Sequence, residues 1–134
     1  MRRLIASTFL SLDGVLQAPG APDEDPGGGF SLGGWTFNFW DEGMGLNMNG
    51  LDGKDRELVL GRRTYEIFTG SWGAVSDPSM NAIAESLHSR PKYVASTTPF
   101  DPEWANTTVL SGDLAAAIRE LKATPGGELE VHGS

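Results

Sequence analysis

Short apolar runs separated by amphipathic segments dominate the pattern of this chain. Five runs have the length and the β-branched or alternating composition of strands, and they cover residues 3–11, 57–60, 92–96, 107–110 and 128–132. The first run begins near the N-terminus and is apolar through most of its length. We therefore expect it to form a largely buried strand in the centre of a sheet.

Between these runs, apolar residues recur at the three- and four-residue spacing of a helix that buries one face. Asp77 followed by Pro78 is a favourable N-cap and first helical position. Four helices are expected, over residues 40–51, 62–72, 78–87 and 113–124. Strands that alternate with helices of this length predict an α/β fold with a mainly parallel sheet, in a single domain of residues 1–134.

Residues 17–35 interrupt this alternation with three prolines and several glycines, which regular elements tolerate poorly. The pattern predicts a long loop. Such a loop either closes over a functional site or is an insertion, and its composition leaves both interpretations open.

The composition restricts the partners and the chemistry. The 134 residues carry a formal net charge of -8, which disfavours long-range attraction to nucleic acid or to an anionic membrane. There is no cysteine and the two histidines are far apart, so we predict no metal site. The apolar run after Arg2 and Arg3 is interrupted too early for a signal peptide, and no run approaches the roughly 20 residues of a membrane span. We expect a cytoplasmic protein.

Residues 61–64 have the composition of an anion-binding segment. They join an apolar strand to an amphipathic helix, whose first N–H groups lack partners within the helix. Gly61 allows close approach of the backbone, and Arg62 and Arg63 supply donors suited to phosphate oxygens. The alternative is a pair of solvated charges, but positive charge is unfavourable at a helix start. We favour phosphate binding, in which Thr64 either takes part or satisfies backbone groups.

Polar or small residues also follow other predicted strands. Because ligands of parallel α/β sheets lie beyond the carboxyl ends of the strands, we expect these segments to converge on one crevice. They are residues 11–14, 61–64, 96–98 and 132–134.

Several of these segments occur in the order of a known family. The matching pieces are Ser11-Leu12-Asp13-Gly14-Val15, Gly33-Gly34-Trp35, Leu60-Gly61-Arg62-Arg63-Thr64-Tyr65-Glu66, Pro91-Lys92-Tyr93-Val94-Ala95-Ser96 and Val131-His132-Gly133-Ser134. The chain thereby resembles the dihydrofolate-reductase-like superfamily. Within it, the chain is similar to the C-terminal reductase domain of the bacterial riboflavin-biosynthesis deaminase-reductase.

The resemblance implies a three-layer reductase fold and NADPH as cofactor. By this resemblance the cofactor-binding residues are Gly61, Arg62, Arg63 and Thr64 at the dinucleotide phosphates, Ser96 and Thr97 near the adenosine 2'-phosphate, Gly133 and Ser134 under the pyrophosphate, and Leu12, Gly14 and Val15 beside the nicotinamide. Only the segment from Gly61 to Thr64 is also indicated by the residues themselves.

Two carboxylates are candidate catalytic residues. By the resemblance, Asp41 is the positional match to the acidic residue that faces the pterin in dihydrofolate reductases. Burial there would favour its protonated form and suit it to donate a proton, although Asp41 is equally interpretable as a helix-favouring acid. Asp13 is either a polar group on the substrate side or the residue that shapes a turn with Gly14.

Relatives with this pattern continue after the Gly-Ser turn into a further helix and a closing pair of antiparallel strands, which this sequence lacks. We therefore expect an incomplete domain whose open sheet edge favours a homodimer. The implied function is an NADPH-dependent oxidoreductase that transfers hydride to a small heterocyclic or carbonyl-type substrate. The alternatives are a noncatalytic nucleotide-binding module and a dimerisation module.

Overall fold

The computed structural model describes residues 1–44, 55–77 and 81–133. The chain falls into two compact units, one formed by Met1–Ser7 with Lys54–Ser134 and the other by Thr8–Gly53. The sheet belongs to the first unit. The expectation of one domain over residues 1–134 stays a prediction.

Over the described ranges, five parallel strands form the sheet, and each arises from one of the apolar runs. They are β1 (Leu4–Ser7), β2 (Glu57–Gly61), β3 (Lys92–Ala95), β4 (Thr107–Leu110) and β5 (Leu129–His132). Their order is β1-β5-β2-β3-β4, and each pairing is parallel. The register places Leu60 beside His132 on one side and Val94 on the other. The α/β class with a mainly parallel sheet is confirmed.

The expectation that the first strand is central and largely buried is wrong. β5 lies between β1 and β2, so β1 stands at one end of the strand order. Only Leu4–Ser7 of the longer apolar run pairs with β5, and its residues alternate between exposed and half-buried. Alternate side chains of a strand point to opposite faces, so those on the uncovered face of β1 stay in solvent whatever their hydropathy.

Helices of the first unit connect these strands. They are α1 (Arg62–Phe68), which continues into a π-helical turn (Thr69–Gly73), α2 (Ala82–Ser89) and α3 (Leu114–Ala123). Asp113 caps α3 by accepting the N–H of Ala116 at 3.0 Å, which agrees with the expected start of that helix. Among the described residues, no helix is both long and apolar enough to cross a bilayer.

The predicted N-cap of α2 is wrong. The helix begins after Asn81, whose side-chain oxygen accepts the N–H groups of Ile83 and Ala84 at 3.0 and 3.1 Å. One amide oxygen therefore satisfies two N–H groups that have no partner inside the helix. Asp77 lies upstream of this start, and Pro78 is outside the described residues.

The core lies between one face of the sheet and the helices α1 and α2. Burial of each large apolar side chain contributes about 1.5–3 kcal/mol relative to exposure. The buried cluster comprises Leu58, Leu60, Tyr65, Leu87, Val94 and Trp104, with Phe68, Trp72 and Phe100 packed against it. The helix predicted over 62–72 was expected to bury one face, and Tyr65 and Phe68 of α1 with Trp72 of the π-helical turn form that buried face.

Buried charged groups cluster at the amino ends of the strands. The Lys92 ammonium donates to the carbonyl oxygens of Leu87 and Arg90, at 2.6 and 2.7 Å. Arg90 pairs with Glu130 at 2.6 Å, and both side chains are almost fully buried. Removing such charges from water is costly unless they are paired, and these hydrogen bonds and the ion pair offset that cost. They also hold the end of α2 on the sheet.

Residues 8–44, the described part of the second unit, consist mainly of turns, in agreement with the long loop predicted over 17–35. Short 3₁₀ turns occur at Gly27–Gly29 and Trp35–Phe39. The Trp35 indole donates to the Gln17 carbonyl at 3.0 Å, and the Thr36 hydroxyl donates to another carbonyl of the same segment, at 2.6 Å. Side chains therefore satisfy backbone groups that no sheet or helix pairs.

The helix expected over 40–51 falls mostly outside the described residues. Trp40 is extended rather than helical and is 45% exposed, so the predicted helix does not begin at this residue. Residues 42–44 form a helical turn, and residues 45–54, which include Met48 and Leu51, are not among those described.

Candidate functional site

Three of the four predicted strand-end segments lie side by side. β5, β2 and β3 are consecutive in the sheet, with Leu60 in register with His132 and Gly61 in register with Ala95. Neighbouring strands are about 4.8 Å apart, so the residues that follow these positions form one edge. We call residues 61–64, 96–97 and 132–133 the strand-end site. The fourth segment, residues 11–14, belongs to the second unit.

Gly133 and Thr64 are the tightest contact of this site. Gly133 has a φ of 80°, and a Cβ atom on it would overlap the Thr64 hydroxyl and crowd its methyl group. A glycine is therefore required for both backbone conformation and space. Ser134, the second residue predicted at this turn, lies outside the described residues.

Gly61 is open on the side where a side chain would project. It is the N-cap of α1, with φ -69° and ψ 155°, and contributes no side-chain hydrogen bond to the helix start. A Cβ atom built on Gly61 meets no described atom within 4 Å. The first N–H groups of α1 lack helical partners by geometry, so this open side borders hydrogen-bond donors. This space allows a ligand to approach the backbone of Gly61 closely.

The two arginines differ in their surroundings. Arg62 Nε donates to Glu66 Oε1 at 2.7 Å, and its Cζ lies 4.0 Å from the centroid of the Phe100 ring. The Arg62 side chain is 38% exposed. Arg63, the next residue of α1, is exposed. Both arginines therefore stand at the same edge of the sheet as Gly61.

Ser96 is engaged within its own turn. Its hydroxyl donates to the Thr98 carbonyl at 2.6 Å and accepts the Thr98 N–H at 3.3 Å. Thr97 is exposed. If Ser96 donated to a phosphate, its hydroxyl would lose the hydrogen bond to the Thr98 carbonyl. The exposed Thr97 hydroxyl could donate to a phosphate without losing such a bond.

The two candidate catalytic carboxylates both lie in the second unit and are exposed. Asp41 Oδ1 accepts the N–H of Met44 at 2.7 Å, so it caps a helical turn. The buried carboxylate that the proton-donor hypothesis requires is not observed. Asp41 instead shows the alternative role of a helix-favouring acid.

Asp13 forms a hydrogen-bonded turn. Its Oδ1 accepts the Ser11 hydroxyl at 2.5 Å, and this hydrogen bond, followed by one from its own backbone, lowers the pKa of Asp13. Gly14 has a φ of 89°, as a turn of this type favours. The Ser11 N–H donates to the Val15 carbonyl at 3.0 Å, and Leu12 is fully exposed. An ionised Asp13 is suited to accept hydrogen bonds from a ligand and unsuited to donate a proton.

Sequence reasoning missed the partners of the strand-end site. The spacing of Arg62 and Glu66 is that of a helical ion pair and is readable from the sequence. Phe100 is distant along the chain, and no local signal indicates its contact with Arg62. His132 ends β5 as expected, but its ring also lies 3.4 Å from the buried Glu130 carboxylate.

The fold of this chain is similar to that of a solved reductase structure. No family model matches the chain, and no curated protein matches it. Among solved structures, the chain is similar to the dihydrofolate reductase from Enterococcus faecalis complexed with NADP(H) and RAB-propyl, with a TM-score of 0.53 and 19% identity. The match covers 98% of this chain and 58% of that reductase, so the chain spans less than two thirds of its length. The protein has a dihydrofolate-reductase-like α/β fold.

Proposed function

We propose that this chain is an NADPH-dependent reductase domain that delivers a hydride to a small heterocyclic or carbonyl-type substrate. The observation that carries the proposal is the alignment of the strand ends of β5, β2 and β3, with a glycine, two arginines and a hydroxyl at one edge. The likeness to a reductase that is itself complexed with NADP(H) supports the same conclusion. Ligands of parallel sheets lie at such edges.

The residues present fit a dinucleotide. Gly61 leaves space for a diphosphate next to the helix start, and Arg62 and Arg63 supply positive charge in a molecule of net charge -8. Thr64 and Gly133 bring the start of α1 and the end of β5 into contact. Ser96 and Thr97 stand next along the edge, where the 2'-phosphate is proposed to lie.

The protein's contribution to the reaction is alignment and charge. When NADPH is bound, its reduced nicotinamide would supply the hydride, and the strand-end site would hold the phosphates of the dinucleotide. Leu12, Gly14 and Val15 are proposed to lie beside the nicotinamide. Asp13, with its lowered pKa, would accept a hydrogen bond from the substrate and orient it. Asp41 is proposed as the proton donor on the motif resemblance alone, as the positional match to the acidic residue of dihydrofolate reductases.

The finer assignments are also proposals. By the motif resemblance, we propose that the chain is similar to the riboflavin-biosynthesis reductase domain, and the residues select neither a folate nor a riboflavin precursor as substrate. β1 lies at one end of the strand order and its first residue, Leu4, is exposed, which supports association of two copies at this end of the sheet. Sedimentation velocity tests this arrangement, and a monomer at all concentrations would contradict it.

A second candidate function is a noncatalytic nucleotide-binding module. It is favoured by the exposure of Asp41, whose Oδ1 accepts the Met44 N–H at 2.7 Å and so caps a helical turn. Such a module would bind the nucleotide through the same edge but would not turn over. Consumption of the cofactor in the presence of carbonyl and imine substrates separates the two functions.

The direct experiment is a titration with NADPH, NADH and ADP. We expect NADPH to bind more tightly than NADH, because the 2'-phosphate adds charge-assisted hydrogen bonds. Arg62→Met should weaken NADPH binding by about tenfold or more. Arg119→Met is the matched control, because Arg119 is an exposed cation on α3. Equal binding by both variants would exclude Arg62 from the site.

A further inference from the structure

The Arg62 guanidinium is held on two sides. Its Cζ lies over the Phe100 ring, 4.0 Å from the ring centroid, and its Nε donates to Glu66 Oε1 at 2.7 Å. Among the described residues, Arg62 donates a hydrogen bond only through Nε, so its Nη donors are available to a ligand. Arg62 is therefore oriented before any phosphate arrives.

The aromatic ring is the more rigid of these two supports. Phe100 is half-buried and packs against the core, with its centroid 5.6 Å from that of the buried Tyr65 ring. Glu66 is 51% exposed, and an exposed ion pair within one helix contributes little. The orientation of Arg62 therefore depends mainly on Phe100.

We propose that Phe100 is a positioning residue for phosphate binding, acting through Arg62. This inference rests on the proposed nucleotide-binding function. Phe100 lies on the segment between β3 and β4, and Arg62 begins α1 after β2. Their contact therefore links two strand ends and sets the direction in which the Nη donors of Arg62 face a phosphate. Pre-orientation reduces the conformational entropy that binding would otherwise cost.

Substitution of Phe100 tests this role. Phe100→Leu keeps an apolar side chain against Tyr65 and removes the aromatic face, whereas Phe100→Tyr keeps the face. We expect the Kd for NADPH to rise about threefold to fivefold in the leucine variant and to stay near the wild-type value in the tyrosine variant. Thermal unfolding of both variants confirms that they are folded.

A double-mutant cycle distinguishes positioning from a general structural effect. If Phe100 acts through Arg62, Phe100→Leu should not weaken binding further when Arg62→Met is already present. An unchanged Kd in Phe100→Leu alone would overturn the proposal. An equal loss in the wild-type and Arg62→Met backgrounds would overturn it as well.

A second measurement requires no nucleotide. The Nε–Hε NMR signal of Arg62 should carry a ring-current shift in the wild type, keep it in Phe100→Tyr and lose it in Phe100→Leu. If this signal behaves as expected but the wild type binds no NADPH, the proposed function fails and the phosphate role of Phe100 fails with it. If NADPH binds and the signal is the same in all three proteins, only the positioning role fails.

Discussion

The Thr64 side chain lies against the backbone of Gly133, in the space where a Cβ atom on Gly133 would stand. This contact joins the first turn of α1 to the carboxyl end of β5, although the two residues are far apart in sequence. It brings two predicted cofactor segments together without any ligand. The proposed site is therefore built into the packing of the sheet.

Gly133→Ala should destabilise the protein. The new Cβ would overlap the Thr64 hydroxyl, and alanine is strained at a φ of 80°. We expect a loss of about 2–4 kcal/mol in the free energy of unfolding, measured by urea denaturation. Combining it with Thr64→Ala should recover part of that loss. Wild-type stability in Gly133→Ala alone would show that the contact is looser than described.

Gly61→Ala should separate binding from stability. The added methyl group enters open space, and the φ of -69° is accessible to alanine. Stability should change by no more than about 1 kcal/mol. NADPH affinity should fall if the diphosphate approaches this backbone, and a calorimetric titration measures it. Unchanged affinity would place the diphosphate elsewhere.

Lys92 should make stability depend on pH. Burial, and secondarily the charge of Arg90, lowers the pKa of Lys92 from 10.5 to about 8. Because the unfolded chain then holds this proton more tightly, stability rises with pH between the two pKa values. The expected gain is about 2 kcal/mol from about pH 7 to about pH 9.5.

The control is Lys92→Met, in which this gain should disappear. Burial, followed by contact with Glu57, raises the pKa of Tyr93, so its ionisation opposes folding only at more alkaline pH. Denaturation curves at several pH values below that range isolate the lysine. The same slope in wild type and Lys92→Met would assign the effect to another group.

The N-cap of α2 can be tested with two substitutions at one position. Asn81→Ala removes the oxygen that accepts the N–H groups of Ile83 and Ala84 and should cost about 1 kcal/mol. Asn81→Asp retains an acceptor and should be close to neutral. Equal stability of the alanine and aspartate variants would argue against capping by this residue.

Local signals in the sequence predicted much of the fold. The apolar runs identified the strands, because strand formation depends on side chains that alternate or are buried on both faces. Tyr65 and Phe68 identified the inward face of α1 for the same reason. Strand order was not predictable in this way, since the placement of β5 between β1 and β2 depends on contacts remote in sequence.

The candidate site was predictable where chemistry is local. Gly61 and Arg62 predict a junction between a strand and a helix that is suited to bind an anion. In the structure they lie at the carboxyl-terminal edge of the sheet, as expected. Phe100 could not be found, because a ring in a loop carries no periodic signal. Asp41 had two interpretations in the sequence, a buried proton donor and a helix-favouring acid, and its hydrogen bond with the Met44 N–H agrees with the second.

The central claim is that the strand-end site binds a reduced dinucleotide. Backbone amide shifts of the ¹⁵N-labelled chain, recorded during titration with NADPH, test it most directly. The account predicts saturable shifts at Gly61, Arg62, Thr64 and Gly133, and little change near Arg90 at the opposite end of the sheet. Shifts confined to that opposite end, or no saturable shift at any amide, would contradict it.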